Sequence, residues 1–175
     1  MTSDVRFPIG KPQMLPFSQE EKEARMADIL FLPRMLEYAV LNLNDDQIQT
    51  PYRDGGWTVN QVIHHVADSH MNAFIRFKLG LTEDNPTIKP YIQSAWGETA
   101  DVTAVPVNLS ITLLHALHHR WYELLKTITE EQWDRTIYHP EQEKKITLWE
   151  LLLIYAWHGK HHAAHVTNLR EQMGW

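Results

Sequence analysis

A short segment near the C-terminal end, AWHGKHHAAH (156–165), carries four histidines within eight positions. His158 and His162 are four residues apart, so on a helix their rings stand on the same side. His162 falls within the apolar stripe of the segment and His158 lies at its edge. His161 points well away from the stripe, and His165 lies on its flank. An inward pair of imidazoles at this spacing is a known geometry for a transition metal, so the segment predicts a metal site.

The same spacing occurs between His115 and His119, but that pair predicts no site. The apolar stripe of its segment places His119 on the opposite face and His115 far round the helix, whereas His118 is expected to border the core. A four-residue spacing between two histidines is therefore weak evidence for a metal site by itself. A single inward histidine is more often a hydrogen-bonded core residue than a ligand. The interpretation depends on the inward face that His158 and His162 share.

A third ligand must come from another helical segment, TVNQVIHHVADSHMNAFIRFKLGL, and its periodicity leaves two candidates open. His70 falls inside the apolar stripe, while His65 lies on the flank and His64 points outward. The flank forms a polar seam, which can either wall a pocket or simply face solvent. The seam consists of His65, Ser69, Asn72 and Arg76.

The composition narrows the possible chemistry. The chain has 175 residues, no cysteine and a formal net charge of -6. Without cysteine, a metal must be held by histidine or carboxylate, and any thiol must come from outside. The basic residues form no stripe, so we expect no nucleic-acid partner. We see neither a transmembrane run nor a signal peptide, which predicts a cytoplasmic protein without a membrane partner. The length suits a single domain over 1–175.

Four segments have the apolar periodicity of helices, and three of them begin with a capping-box pattern, at Ser18, Thr58 and Thr147. The remaining helix covers about 108–128, and Pro33 should kink or break the first one. A short hairpin from RTIYH and KKIT is expected before the last helix. Together these elements predict an all-α, antiparallel four-helix bundle, an architecture that builds metal sites from facing helices.

Two long motifs carry a family resemblance, namely PYRDGGWTVNQVIHHVADSHMNAFIRFKL and YAWHGKHHAAHVTNLREQMGW. With FPIGK near the start and RTIYHPE before the last helix, the whole chain resembles the YfiT-type metal-dependent hydrolase branch of the DinB-like superfamily. The resemblance implies a divalent metal bound by His65, His158 and His162, and it thus selects His65 over His70. It also implies a homodimer that acts on a small-molecule substrate. Other members of the superfamily are thiol S-transferases that use a low-molecular-weight thiol.

Three neutral imidazoles leave a divalent metal with an open coordination position, as in catalytic zinc sites. Bound zinc lowers the pKa of its water to near ~7, which supplies a nucleophile for a hydrolase. The same position ionises an incoming thiol, which would serve an S-transferase. We expect zinc, with nickel as the alternative because nickel also suits imidazole. A non-enzymatic bundle with a structural metal, or with none, is the third interpretation.

Supporting roles are assigned to side chains around the predicted centre. Asp68 could orient a ligand imidazole, although solvation on the helix surface is the more common role. Arg76 could hold a substrate carboxylate or phosphate, or it could form an internal ion pair. No carboxylate stands out as a general base. The stretch 82–107 is a loop of functional length that should shape substrate choice, with Trp96 as a pocket-lining candidate.

Overall fold

Helices make up most of the computed structural model, which describes residues 4–175. In chain order they are α1 (Gln19–Val40), α2 (Asp45–Ile48), α3 (Val59–Thr82), α4 (Gln93–Trp96), α5 (Ala100–Ala104), α6 (Val107–Lys126) and α7 (Leu148–Met173). A 3-10 turn (Glu131–Asp134) and an antiparallel hairpin of β1 (Thr136–His139) and β2 (Lys144–Thr147) precede α7. The hairpin predicted from the sequence is confirmed. Within the described residues, no helix combines the length and apolarity needed to span a membrane.

Side-chain caps set the starts of three of the long helices, as predicted. Ser18, Thr58 and Thr147 each accept a hydrogen bond from the backbone N–H three residues further on. At Thr58 and Thr147, the side chain three residues on also bonds back to the cap N–H, which completes the capping box. These local bonds satisfy N–H groups that have no partner inside the helix.

Pro33 does not break α1, which continues to Val40. Of the two expected effects, a kink or a break, the break is therefore wrong. A proline inside a helix removes one hydrogen bond and costs about 3 kcal/mol or more. Leu32 and Leu36 on either side of Pro33 are fully buried, and so is Pro33 itself. The packing of this apolar face against α6 and α7 offsets the local cost.

The expected four-helix bundle is confirmed, and each long helix packs against two others in the cyclic order α1, α6, α3, α7. α3 and α7 run antiparallel, because His65 lies beside His162 while Gly80, further along α3, lies beside Leu148 at the start of α7. α1 and α6 are antiparallel as well. The two helices that supply the predicted metal ligands are thus direct neighbours.

The other two neighbouring pairs run in the same direction. His64 bonds Ser110 and His70 bonds His118, so α3 and α6 are parallel. α1 and α7 are also parallel. When two consecutive long helices are parallel, the segment that joins them must run back along the length of the bundle. This need explains the length of segment 83–106, which joins α3 to α6.

Segment 83–106 is fastened along α3, and this corrects the prediction for His64. Near its start, the Ile88 N–H donates to the Tyr138 carbonyl at 3.0 Å, which adds the segment to β1. Near its end it covers His64, which is only 5% exposed instead of pointing outward. His64 Nε2 donates to the Val105 carbonyl at 3.0 Å, and Nδ1 lies 2.7 Å from the Ser110 hydroxyl. The α3 periodicity could not reveal a covering segment from elsewhere in the chain.

The core has two apolar clusters separated by a polar layer. One cluster contains Phe77 and Trp121, and the other contains Ile63 and Val166. On α3, α6 and α7, histidines stand at or next to the boundary between the clusters. They are His65, His70, His118, His158 and His162. Their placement sets up the candidate site.

Gly159 allows α7 to approach α1 closely at this layer. A Cβ atom on Gly159 would lie 2.2 Å from Leu32 Cδ2, which is far inside van der Waals contact. We expect Gly159→Ala to lower the free energy of unfolding by about 2 kcal/mol, because overpacking a tight core costs more than the helix propensity that alanine gains. Urea unfolding of the variant and of the unchanged chain measures the difference.

Leu32 supplies the control for this prediction. Leu32→Ala opens space opposite position 159, so the double variant Leu32→Ala, Gly159→Ala should be more stable than the sum of the two single effects. A neutral or stabilising effect of Gly159→Ala alone would contradict the close approach of the two helices.

Candidate metal centre

Three histidine side chains from two helices converge at the boundary layer. His65 comes from α3, and His158 and His162 come from α7. Each offers one ring nitrogen, and the three nitrogens lie within 4.8 Å of one another. The ring centroids are 4.5 Å apart for His158 and His162, and 4.9 Å apart for His65 and His162. The structure therefore brings together the three residues that the sequence and its family resemblance predicted as ligands.

The spacing of the nitrogens fits a single small cation. His65 Nε2 lies 3.2 Å from His158 Nε2. Two nitrogens bound to zinc at about 2.0–2.1 Å in tetrahedral geometry are about 3.3–3.4 Å apart. Within residues 4–175, His162 forms no side-chain hydrogen bond, and its Nδ1 is buried without a partner. A metal at this point would use ring nitrogens that are otherwise poorly satisfied.

A hydrogen-bonded chain of histidines fixes the protonation of His158. The Ile29 carbonyl can only accept, so His118 Nδ1 must donate to it. In neutral His118, Nε2 then accepts from His70 Nδ1, which is 3.0 Å away. In neutral His70, Nε2 accepts from His158 Nδ1 at 3.2 Å. His158 is left with a free lone pair on Nε2, the nitrogen that faces His65.

This chain, which we call the histidine relay (His70, His118 and the Ile29 carbonyl), sets the role of His70. The stripe position of His70 made it a ligand candidate, but the structure places it behind His158 instead of beside the three converging nitrogens. A partner that orients a ligand imidazole in this way raises its basicity and fixes its ring. The position of His118 at the core, predicted from its helix face, is confirmed by its complete burial.

Burial keeps the three imidazoles neutral. It lowers the pKa of His65 to about 4. Burial also holds the pKa of His158 and of His162 well below the ordinary value, and the repulsion that would arise if neighbouring histidines were protonated together lowers these pKa values further. A neutral imidazole has the lone pair that a metal needs. All three side chains are therefore in the ligand-competent form at neutral pH.

A solvent-facing cavity of about 260 Å³ borders the centre at His162. Its wall includes Trp57, whose ring lies 4.6 Å from that of His65, together with Arg6 and Arg53. Two larger cavities, of about 510 and 640 Å³, lie elsewhere and contain none of the three histidines. The smaller cavity is the one relevant to the centre because it gives the centre an approach from solvent.

His161 and His165 lie off the apolar stripe, as expected, but other parts of the chain cover them. His161 stacks on Trp157, with centroids 4.4 Å apart, and Phe7 of the N-terminal segment lies nearby. His165 stacks on Tyr52 at 4.1 Å. Both rings belong to the wall of the 260 Å³ cavity and not to the group of three converging nitrogens.

The predicted supporting residues have different surroundings from those expected. Asp68 forms no side-chain hydrogen bond to a ligand histidine among the described residues, and His70 holds His158 instead. Burial, and then the charge of Asp101, raise the pKa of Asp68 to about 6. Arg76 forms no ion pair with any of the described residues. Its Nη1 donates to the Tyr155 hydroxyl at 2.8 Å. Trp96 is 39% exposed and does not line the cavity at His162.

Acid should destabilise the fold through the relay. Burial lowers the pKa of His118 to about 4, against about 6.5 in the unfolded chain, so the unfolded state takes up the proton first. The stability from neutral His118 is complete above about pH 6.5 and is lost as the pH falls towards about 4. At about pH 5 the loss from this group alone is about 2 kcal/mol. Urea unfolding of chelator-treated protein at neutral and acid pH measures it.

His118→Gln should be less stable at neutral pH but should show a shallower decline with acid, because the titrating group is gone. The exposed His119 gives the matched control, and His119→Gln should keep the full decline. Equal slopes for the His118 variant and the unchanged chain would contradict the prediction.

Comparisons with known proteins agree with this geometry. The sequence family described as the DinB superfamily matches residues 30–166. A protein of Bacillus subtilis (strain 168) named "Putative metal-dependent hydrolase YfiT" is 48% identical over 178 residues, covering 100% of this chain and 99% of its own. A protein of Geobacillus thermodenitrificans (strain NG80-2) named "Putative metal-dependent hydrolase" is also 48% identical, covering 98% and 97%.

A solved structure shows the same fold. It superposes with a TM-score of 0.95 at 46% identity and covers 98% of both chains. It is described as YfiT from Bacillus subtilis, "a probable metal-dependent hydrolase with an unusual four-helix bundle topology". The mixed parallel and antiparallel packing described above is a departure of this chain from a simple up-and-down bundle. Both the sequence and the fold show that the chain belongs to the DinB superfamily.

Proposed function

We propose that this protein is a metal-dependent hydrolase of a small-molecule substrate, with one divalent metal held by His65, His158 and His162. The observation that carries the proposal is the convergence of three neutral imidazole nitrogens beside a solvent cavity. Structural zinc sites are usually closed by four protein ligands, whereas catalytic sites have three and an open position. The names of the relatives support the same reaction class. We propose zinc as the metal, with nickel as the alternative.

When bound, such a metal lowers the pKa of a coordinated water to near ~7 and polarises a carbonyl oxygen. The chain's own residues orient the ligand side chains and limit the access of water. The histidine relay keeps the Nε2 lone pair of His158 available. Arg76 donates to the oxygen of Tyr155 and holds this ring in place beside His158, with the two ring centroids 5.9 Å apart. His70, which is completely buried behind His158, keeps that side of the centre free of solvent.

A thiol S-transferase is the second candidate, and one observation favours it. The cavity beside His162 is lined by two arginines, Arg53 and Arg6, and the second of these also pairs with Asp4 at 2.9 Å. A low-molecular-weight thiol that carries carboxylates would be attracted to such a wall. The open metal position would ionise the thiol without a separate base. The chain has no cysteine, so the thiol must come from outside.

The two candidates separate in one experiment on metal-loaded protein purified without a metal column. A hydrolase cleaves members of an ester and amide panel with no thiol added. An S-transferase consumes an electrophile such as monochlorobimane only when a thiol is present. In either case His158→Ala should remove the activity. A metal-loaded protein that cleaves no ester or amide and consumes no electrophile would contradict both enzymatic candidates. That result would favour a non-enzymatic role. The homodimeric state and the cytoplasmic location stay predictions.

A further inference from the structure

A second polar cluster follows α3 away from the metal centre. Its members are Ser69, Arg76, Tyr91, His139 and Tyr155. Ser69 is one helical turn after His65, and Tyr155 is about one turn before His158. The Ser69 hydroxyl lies beside the phenols of Tyr91 and Tyr155. The cluster thus starts at the metal ligands and ends at Arg76.

Arg76 is partly buried and has a free hydrogen-bonding edge. Nη1 donates to the Tyr155 oxygen at 2.8 Å. Nε is buried and has no partner, and Nη2 forms no hydrogen bond within residues 4–175. Nε and Nη2 together form the edge that grips two oxygens of one anion. No acidic side chain of the described residues pairs with this charge, so its desolvation is not compensated by the protein.

Two more buried polar atoms of the cluster are poorly satisfied. Nδ1 of His139, which β1 carries to this position, has no partner among residues 4–175, and the Tyr91 hydroxyl has only the Ser69 hydroxyl beside it. Burial raises the pKa of Tyr91 to about 12, so its phenol stays protonated and can donate. Burial and then the charge of Arg76 lower the pKa of His139, which stays neutral. Buried polar groups without partners are uncommon in folded proteins, and two in one cluster, Nε of Arg76 and Nδ1 of His139, indicate a ligand.

We propose that this cluster (Ser69, Arg76, Tyr91, His139 and Tyr155) binds a carboxylate of the substrate. The free Nε–Nη2 edge matches the two oxygens of a carboxylate, and the protonated Tyr91 hydroxyl of the same cluster is a further donor. A single guanidinium balances one negative charge, which favours a carboxylate over a phosphate dianion. The inference rests on the proposed function in that the carboxylate belongs to the molecule acted on at the metal centre.

Acetate is the probe for a direct test. The chemical shift of the Arg76 Nε–H group is followed by NMR during titration with acetate, with chloride at equal ionic strength as the reference. The full chain is used both metal-loaded and after chelation, so that binding to the metal is separated from binding to Arg76. A parallel titration with inorganic phosphate tests the preferred anion. Melting temperature and metal content confirm that each variant is folded and loaded.

We expect a saturable shift with acetate in both forms of the protein. Arg76→Gln should weaken acetate binding about tenfold or more, because it removes a charge-assisted pair of hydrogen bonds. Arg76→Lys keeps the charge but loses the paired edge, so it should bind with intermediate affinity. Arg34 is an exposed arginine on α1, and Arg34→Gln is the matched control that should bind like the unchanged chain.

Two outcomes would overturn the proposal. One is the absence of a saturable shift, or equal acetate affinity in Arg76→Gln and the unchanged chain. The other is tighter binding of phosphate than of acetate. Failure of the proposed hydrolase activity can be distinguished from failure of this inference. Acetate binding that depends on Arg76 can persist in a protein that cleaves no ester. Conversely, ester hydrolysis could be unchanged in Arg76→Gln and independent of whether the ester carries a carboxylate. That result would contradict the carboxylate site but not the proposed hydrolase.

Discussion

Replacing His158 by alanine is expected to reduce bound metal from about one ion per chain to nearly none, and to abolish activity with it. The substitution removes one of three ligand nitrogens and also ends the histidine relay. Two remaining imidazoles hold a divalent ion far less tightly than three, because each ligand contributes to the binding free energy. Elemental mass spectrometry on protein purified without a histidine tag or a metal column measures the metal content.

The chain provides a matched control for this loss. His119 is an exposed histidine on α6, and His119→Ala removes an imidazole without touching the centre. It should keep the metal and the activity. The double variant His158→Ala, His162→Ala is the strictest test, because it leaves only His65 of the three. If this double variant retained a full equivalent of metal, the ligand assignment would be wrong.

The second large effect is expected at His70, which touches no metal. His70→Leu leaves all three ligands in place but removes the acceptor for His158 Nδ1 and the donor to His118 Nε2. Loss of such a partner lowers metal affinity about 10–100-fold. Each buried nitrogen left without a partner also costs about 1–3 kcal/mol of stability. Competition with a chelator of known affinity measures the first effect, and urea unfolding of metal-free protein measures the second.

His70→Gln distinguishes the relay from a merely structural role. A glutamine amide can accept from His158 through its oxygen and donate to His118 through its nitrogen, so it should recover most of the metal affinity. Imidazole ¹⁵N shifts provide an independent readout, since they report which nitrogen carries the proton. His158 should be protonated on Nδ1 in the unchanged chain and in His70→Gln, but should lose this preference in His70→Leu. Unchanged metal affinity in His70→Leu would contradict the relay.

The relay also explains why a bundle carries a polar layer through its core. The histidines at the boundary between the two apolar clusters would cost stability if their ring nitrogens were unpaired. The chain of hydrogen bonds from His158 to the Ile29 carbonyl satisfies them across three helices, α7, α3 and α6, and reaches α1. Among the histidines of this layer, the buried nitrogen that remains without a partner within the described residues is Nδ1 of His162.

Features that depend on a few neighbouring residues were readable from the sequence alone. The starts of α1, α3 and α7 follow from caps in which a side chain bonds a backbone N–H three residues away. The shared face of His158 and His162 follows from the helical repeat. The hairpin before α7 follows from two short strand-like runs on either side of a polar turn. Each of these is set by geometry within one element.

The positions of His65 and His70 relative to α7, and the surroundings of Arg76, were decided only by the tertiary structure. Periodicity placed His70 in the apolar stripe and His65 on its flank, and it left both open as ligands until the family resemblance selected His65. The packing of α7 on one side of α3 and of α6 on the other puts His65 among the three converging histidines and His70 behind His158. His64 was misjudged because segment 83–106 covers it. The physical reason is common to all: the direction and order of packed helices decide which side chains meet, and neither is encoded in the periodicity of a single helix.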